Sequence, residues 1–398
     1  MAAAKKSIVL APKYIVLFLL VAFFLFSGVL INNVSPGVVL WGGLDYGKYL
    51  ALFLLPAVYS FTEDDIEKQL RFVFLLALLQ VPIAFFQRLV QFKGVLSGDV
   101  VSGTLIISSA LSIFLISVIS VFLAFYLRNR VARRTFFIYV VLLFLPTTIN
   151  ETKGTLILLP IALIIPVMFL EGVSSKFRRM VPVMISGVIL IMLFVPMYDT
   201  FMKDRFGESV FDIVTDKDRI AHYLYSGEVA SEDYQFDNNA DLTGQSFNEL
   251  ERDAPRLDSM LIPLIFLSDE PIKLMAGLGI GNLNESRLQV LTGDYFVLTE
   301  LYSAKITTVS QILWETGLGG LVFALVFLYM VLSDARYLRF GEGVTVDLAL
   351  GWCAVVIIIL VVLPYKNLTG MNVIGYLFSF YSGYLAASCY REKLKRLS

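Results

Sequence analysis

Six cationic side chains, Arg88, Lys153, Arg205, Arg219, Arg256 and Lys305, fall in or beside the segments that separate long apolar runs. If several of them converge, they make a seat for a phosphate or diphosphate. Arginine's planar fork suits such oxygens because it donates two parallel hydrogen bonds to them. The same donors would stabilise a leaving phosphate. Three groups could take a proton nearby: His222, Asp258 and Glu315. His222 is the single histidine; a lone histidine is more often structural, yet its unperturbed pKa lies near neutrality. Asp258 stands two residues after Arg256, and Glu315, in "WETG", lies inside an apolar run. A carboxyl in that setting needs a partner or a proton. Each cation taken singly also has an ordinary reading as a solvated or paired charge, Lys153 with its neighbour Glu151 included. No group of His, Cys and acidic residues has metal-ligand spacing, and nothing calls for a cofactor.

The elements that must position these groups follow from composition. The chain has 398 residues, 57% hydrophobic and only 16% charged, with mean hydropathy +0.76. Soluble domains are about 45–50% apolar and about 25% charged. The excess sits in ten apolar segments, at roughly 14–32, 38–60, 71–90, 103–127, 135–149, 155–171, 180–198, 306–332, 346–363 and 370–388. Runs of about 18 or more residues are long enough to span a bilayer, so the expectation is an all-α polytopic membrane helix bundle of about ten spans. Alternating sides from a cytoplasmic N-terminus puts 18 of the 32 basic residues in the inner loops and tails. That asymmetry is the positive-inside pattern, and it places both termini in the cytoplasm. The basic start leads into a retained first span. Cys353 and Cys389 read as free thiols.

One connection breaks the pattern of short loops. Residues 199–304 hold 20 acidic against 8 basic residues and divide the chain into an N-terminal bundle (1–198), a large extracytoplasmic helical lobe (199–304) and a C-terminal set of three spans (305–398). A loop this long is usually folded and functional. Within it, "RLDSMLIPLIFLSDEP" reads as an amphipathic or re-entrant helix returning to the membrane. "PIKLMAGLGIGNLNES" follows, with Gly277, Gly279, Gly281 and Asn282. It lacks the lysine and hydroxyl of a P-loop, the acidic residue of a dinucleotide site and a preceding strand. A glycine-permitted turn into the eighth span is the better reading. The fifth run is only about 15 residues, roughly 22 Å of helix, so the tip "PTTINETKGT" should sit low and carry Glu151 and Lys153 near the edge of the hydrocarbon.

Three stretches together resemble the O-antigen ligase and polymerase family of membrane glycosyltransferases. They are "GTLIISSALSIFL" (103–115), "LPTTINETKGTLILL" (145–159), and the run from "APRLDSMLIPLIFLSDEPIKLMAGLGIGN" to "QILWETGLGGLVFALVF". The resemblance implies a GT-C-like bundle in a bacterial inner membrane. Such a protein would join polyprenyl-diphosphate-linked glycans at the outer face by metal-independent, inverting transfer. Donor and acceptor glycans would be its partners along with the lipid bilayer, a chain-length-regulating co-polymerase is left open, and no nucleic acid is implied. Arg256 matches the family's loop arginine and Lys153 stands where its hairpin arginine would be. Gly277, Gly279, Gly281 and Asn282 match the turn, and Glu315 and Gly317 the late-span motif. Arg88, Arg219 and Lys305 would complete the diphosphate site.

Ligases of the family carry a histidine at the start of the eighth span, where this chain has Ile306 and Thr307. That departure favours a polymerase over a ligase and leaves the proton acceptor open among His222, Asp258 and another loop carboxylate. Glycosyltransferases using polyprenyl-phosphate sugars typically bear an acidic pair in the first outer loop, here "NNVSPG" without an acid. A lipid-linked glycan flippase is the alternative outside enzymes. It would show internal repeats and paired broken helices, and neither is legible in the sequence.

Overall fold

The structure is a computed structural model. It describes residues 9–93, 95, 100–150, 152, 154–170, 181–183, 185, 187–192, 194–196 and 255–397. Among them every regular element is helical; besides the short turns Gln289–Leu291 and Leu298–Leu301 these are α1 (Pro12–Asn32), α2 (Pro36–Val58), α3 (Glu63–Phe86), α4 (Ser108–Leu127), α5 (Arg133–Ile149), α6 (Thr155–Phe169), α7 (Val181–Pro196), α8 (Arg256–Phe266), α9 (Pro271–Ala276), α10 (Thr308–Leu338), α11 (Val344–Val362) and α12 (Asn372–Leu397). Six of these, α1, α2, α3 (continued to Gln91), α4, α10 and α11, are long and apolar enough to cross a membrane.

Local chemistry sets the boundaries. α1 and α2 each begin with proline in the first turn, where the missing N–H has no intrahelical partner to lose. A capping box opens α3: the Asp65 N–H donates to Thr62 Oγ1 at 3.2 Å and the Thr62 N–H to Asp65 Oδ2 at 2.9 Å. Glu63, Asp64 and Asp65 fill its first turn and complement the helix dipole. α3 ends in a π-helical turn, Gln87–Gln91, that carries Arg88.

Burial separates centre from periphery. The apolar window of α4 is 89% buried and that of α11 78%, whereas α1 buries only 28%. α4 packs on α5, α6 and α11, and α12 lies along α2. On α1, Ile15, Leu19, Phe23, Phe26 and Leu30 form an exposed row. A soluble protein would not leave so long an apolar stripe in water; here it is the surface offered to lipid.

One end of the bundle is stapled by buried carboxylates. Asp334 accepts from Lys13 Nζ at 2.6 Å, from the Tyr14 hydroxyl at 2.7 Å and from the Cys389 thiol at 3.4 Å. Asp347 pairs with Arg128 at 3.3 Å and Arg130 at 3.2 Å. The partners are bases that the charge asymmetry assigned to the inner loops, so their positive charge also ties α1 to α10 and the α4–α5 connection to α11. Cys353 and Cys389 are free and buried.

Candidate functional site

The opposite end of the bundle is built around an interrupted helix. Gly317 in α10 has φ +65°, ψ −163°, which breaks the hydrogen-bond ladder and leaves carbonyls to be satisfied from elsewhere. The glycine-rich segment supplies the donors: Leu278 N–H reaches the Trp314 carbonyl at 2.7 Å and Gly279 N–H the Glu315 carbonyl at 2.9 Å. The backbones can approach only without side chains. A Cβ on Gly277 would lie 2.4 Å from the carbonyl carbon of Glu315, and one on Gly279 2.9 Å from Gly28 Cα in α1. Gly281 is pressed in the same way against Gly42 of α2. Asn32 at the end of α1 donates to the Gly277 carbonyl at 2.9 Å. Asn282, fully buried, donates to Leu278 O at 2.9 Å and accepts from Asp294 N–H at 2.8 Å. The segment expected as a turn into the eighth span is therefore a strap wedged between α1, α2 and α10.

Glu315 sits at the centre of this wedge, 1% exposed. Its Oε2 accepts from the Tyr46 hydroxyl and from Gln311 Nε2 at 3.3 Å, and its Oε1 from the Gly281 N–H at 3.3 Å. Gln311 Oε1 accepts in turn from Asn367 Nδ2 and Thr369 Oγ1, both at 2.9 Å. Asn367 also donates to the Lys305 carbonyl at 2.8 Å, while the Lys305 ammonium donates to Asn284 Oδ1. Burial pulls the Lys305 pKa below its ordinary value, against the opposing carboxylates of Glu315 and Asp45. With the folded value below the unfolded one, folding releases a proton between them, so this group's effect on stability improves as pH rises through that window. Were an anion held here, as the resemblance in sequence implies, its affinity would fall at a pH below the ordinary lysine pKa of about 10.4 and Lys305→Arg would hold it there; coincident alkaline limbs for wild type and variant would remove Lys305 from such a site.

A second group of side chains adjoins the first through the α11–α12 connection. Arg256, in the first turn of α8, is 8% exposed and lies over the Tyr365 ring, 4.3 Å from guanidinium to centroid. Its Nε has no hydrogen-bond partner. Tyr365 also abuts Gly154, whose added Cβ would meet the ring at 3.1 Å. α8 is tied to α10 by Ser310 Oγ donating to Ser259 O at 2.6 Å, and the exposed Leu257, Leu261 and Ile265 occupy its other side. Of the two forms expected for this segment, amphipathic or re-entrant, the amphipathic one is seen: Arg256, Ser259 and Pro263 are buried, and an apolar side is left outward. The tip of the α5–α6 hairpin is folded inward by Asn150, whose Nδ2 donates to Ser108 O at 2.9 Å and to Ser112 Oγ at 2.8 Å. Asn150→Ala strands these buried acceptors and is expected to destabilise by about 1–3 kcal/mol. An unchanged melting temperature in detergent would show that the turn forms without it.

The two groups place the sequence-based candidates as follows. Glu315, Lys305, Gly277, Gly279, Gly281 and Asn282 come together. Arg256 joins the hairpin tip through Tyr365 and Gly154. Asp258 is half-buried on the first turn of α8. Arg88 is buried and donates to the Val95 carbonyl of its own connection at 2.9 Å, a contact that ties it to the α3–α4 segment. Lys153, Arg205, Arg219 and His222 lie outside the described residues, as does Glu151. Sequence reasoning missed Tyr46, Gln311, Asn367 and Tyr365. "LDYGKY" in the middle of the second span was a usable signal, because charged residues at that depth face a cavity or a partner.

These features define a multi-pass helical membrane protein with a strap threaded through one end of its bundle. Compared with known proteins, the chain matches no family model and no curated sequence.

Proposed function

We propose that the protein is a membrane polysaccharide polymerase, a ten-span GT-C-like enzyme of the bacterial inner membrane. In this reading it joins polyprenyl-diphosphate-linked repeat units at the outer face, with both termini cytoplasmic. The observation that carries the reading is Arg256: a buried guanidinium, stacked on Tyr365, with an unpartnered Nε, beside the hairpin tip to which Lys153 belongs in sequence. A buried cation with a spare donor is unfavourable unless an anion completes it.

The chemistry balances without a cofactor. The acceptor sugar's hydroxyl oxygen attacks the anomeric carbon of the donor. The bond from that carbon to the diphosphate oxygen breaks, and its electron pair leaves with the lipid diphosphate, where Arg256 meets the charge. The hydroxyl proton passes to a loop base. Both oxygens of Glu315 are occupied by Tyr46, Gln311 and Gly281, so Glu315 is better suited to holding the strap than to exchanging protons. Asp258, on the same turn as Arg256, and His222 are the remaining candidates.

One observation favours a second reading. The break in α10 at Gly317, closed by a re-entrant strap, is a device used by transporters near their substrate sites; a lipid-linked glycan flippase would use it so. The test is to give the purified, reconstituted protein lipid-linked repeat units without ATP or added metal. A ladder of longer glycans supports the polymerase. Transbilayer movement of the lipid without new glycosidic bonds would replace it with the flippase.

A further inference from the structure

We infer that the first turns of α4 and α6 form the second half of the anion pocket, with Thr155 and Ser109 as hydroxyl donors to a phosphate or diphosphate group held by Arg256. The inference rests on the reading of Arg256 as an anion ligand. Its own support is a set of unsatisfied groups. The hydroxyls of Thr155 and Ser109 are 0% and 2% exposed by residue, and neither has a hydrogen-bond partner; nor does Arg256 Nε. Native proteins leave few buried polar groups unmet, and each such group needs an explanation. Here three of the seven such atoms found among the described residues fall in connected structure.

The connection is traceable bond by bond. Asn150 fastens the hairpin tip to the first turn of α4 through Ser108 O and Ser112 Oγ. Thr152 N–H donates to Asn150 Oδ1 at 3.3 Å, and Thr155 N–H to Thr152 O at 3.0 Å. Gly154, the residue before α6, abuts the Tyr365 ring that carries Arg256. α4 and α6 pack together and, two spans apart in an alternating bundle, run in the same direction, so both N-termini face the same end. Neither α4 nor α6 has a side-chain cap at its N-terminus. Two parallel helix N-termini put partial positive charge and backbone N–H groups where an anion would sit. Hydroxyls donate to phosphate oxygens without adding charge, which suits a site that must release its diphosphate after each transfer.

Full-length protein in phosphatidylcholine nanodiscs would be titrated calorimetrically with farnesyl diphosphate and, separately, with inorganic pyrophosphate. Thr155→Val and Ser109→Ala are each expected to weaken farnesyl diphosphate binding about tenfold, or ~1.4 kcal/mol, and Thr155→Ser to restore it. The unliganded variants should melt no lower than wild type, since each loses a hydroxyl that has no partner; a structural role would lower the melting temperature instead. Wild-type affinity in both variants overturns the inference, and if Arg256→Ala still binds weakly the reading of Arg256 survives. Wild-type affinity in Arg256→Ala as well overturns both. Equal affinity for pyrophosphate and farnesyl diphosphate would keep the pocket but assign it a free anion rather than a lipid headgroup.

Discussion

Arg256→Ala is expected to reduce chain extension by about 10²–10³-fold while the protein still inserts and folds. The magnitude is that of removing one preorganised donor from a developing negative charge. The side chain contributes little that holds the bundle together: its described partner is the Tyr365 face, and its Nε bonds to nothing. A cation–π contact is worth roughly 0.5–2 kcal/mol, a loss a protein of this size should survive. Arg256→Lys keeps the charge and loses the fork, so it should retain part of the activity. The readout is single-turnover transfer with lipid-linked repeat units, alongside the melting temperature of each variant. Wild-type ladders from folded Arg256→Ala would remove the diphosphate reading, whereas lost ladders together with lost folding would make Arg256 a structural residue.

The two halves of this site differ in how far they could be read from sequence. Apolar runs gave helices near their expected limits: Ser108–Leu127 lies inside the segment placed at 103–127, and Val344–Val362 begins just ahead of the one placed at 346–363. Glu315 was expected to need a partner or a proton, because a bare carboxylate in an apolar run is untenable. Which partner could not be read: Tyr46 is 269 residues away, and no local periodicity encodes that distance. Arg256 and the hairpin tip were associated by family resemblance, and the aromatic ring between them was invisible for the same reason. The glycines show the sharper limit. Their number suggested a turn, but φ angles of +71°, +102° and +85° at Gly277, Gly279 and Gly281 serve close contacts with three different helices. Sequence indicates that a backbone can come close without saying to what.

Gly317→Ala carries the second large expectation, a loss of folded protein of about 3 kcal/mol or more. Positive φ with ψ near 180° is a conformation essentially confined to glycine and is unfavourable for alanine by about 1–3 kcal/mol. The added Cβ would also lie 2.5 Å from Leu274 O, 2.7 Å from Met275 C and 2.8 Å from Gly277 N. These are backbone atoms of the strap, which cannot move aside without breaking its bonds to Trp314 and Glu315. The alternative, straightening α10 into a continuous helix, would restore its own ladder but expel Leu278 and Gly279 from their acceptors. Either route separates the strap from α10, so activity should vanish together with thermal stability. Fluorescence size-exclusion melting checks this directly; a monodisperse Gly317→Ala protein with the wild-type melting temperature would mean that the break in α10 is not required.

The strap also dictates an order of biogenesis. Asn32 must wait for Gly277, 245 residues further along the chain, and the faces of α1 and α2 around Gly28 and Gly42 stay bare until then. The N-terminal half is therefore made with glycine furrows that stay unfilled until residues 277–281 have followed it. Quality control in such a protein would act late, on whether that final insertion has taken place.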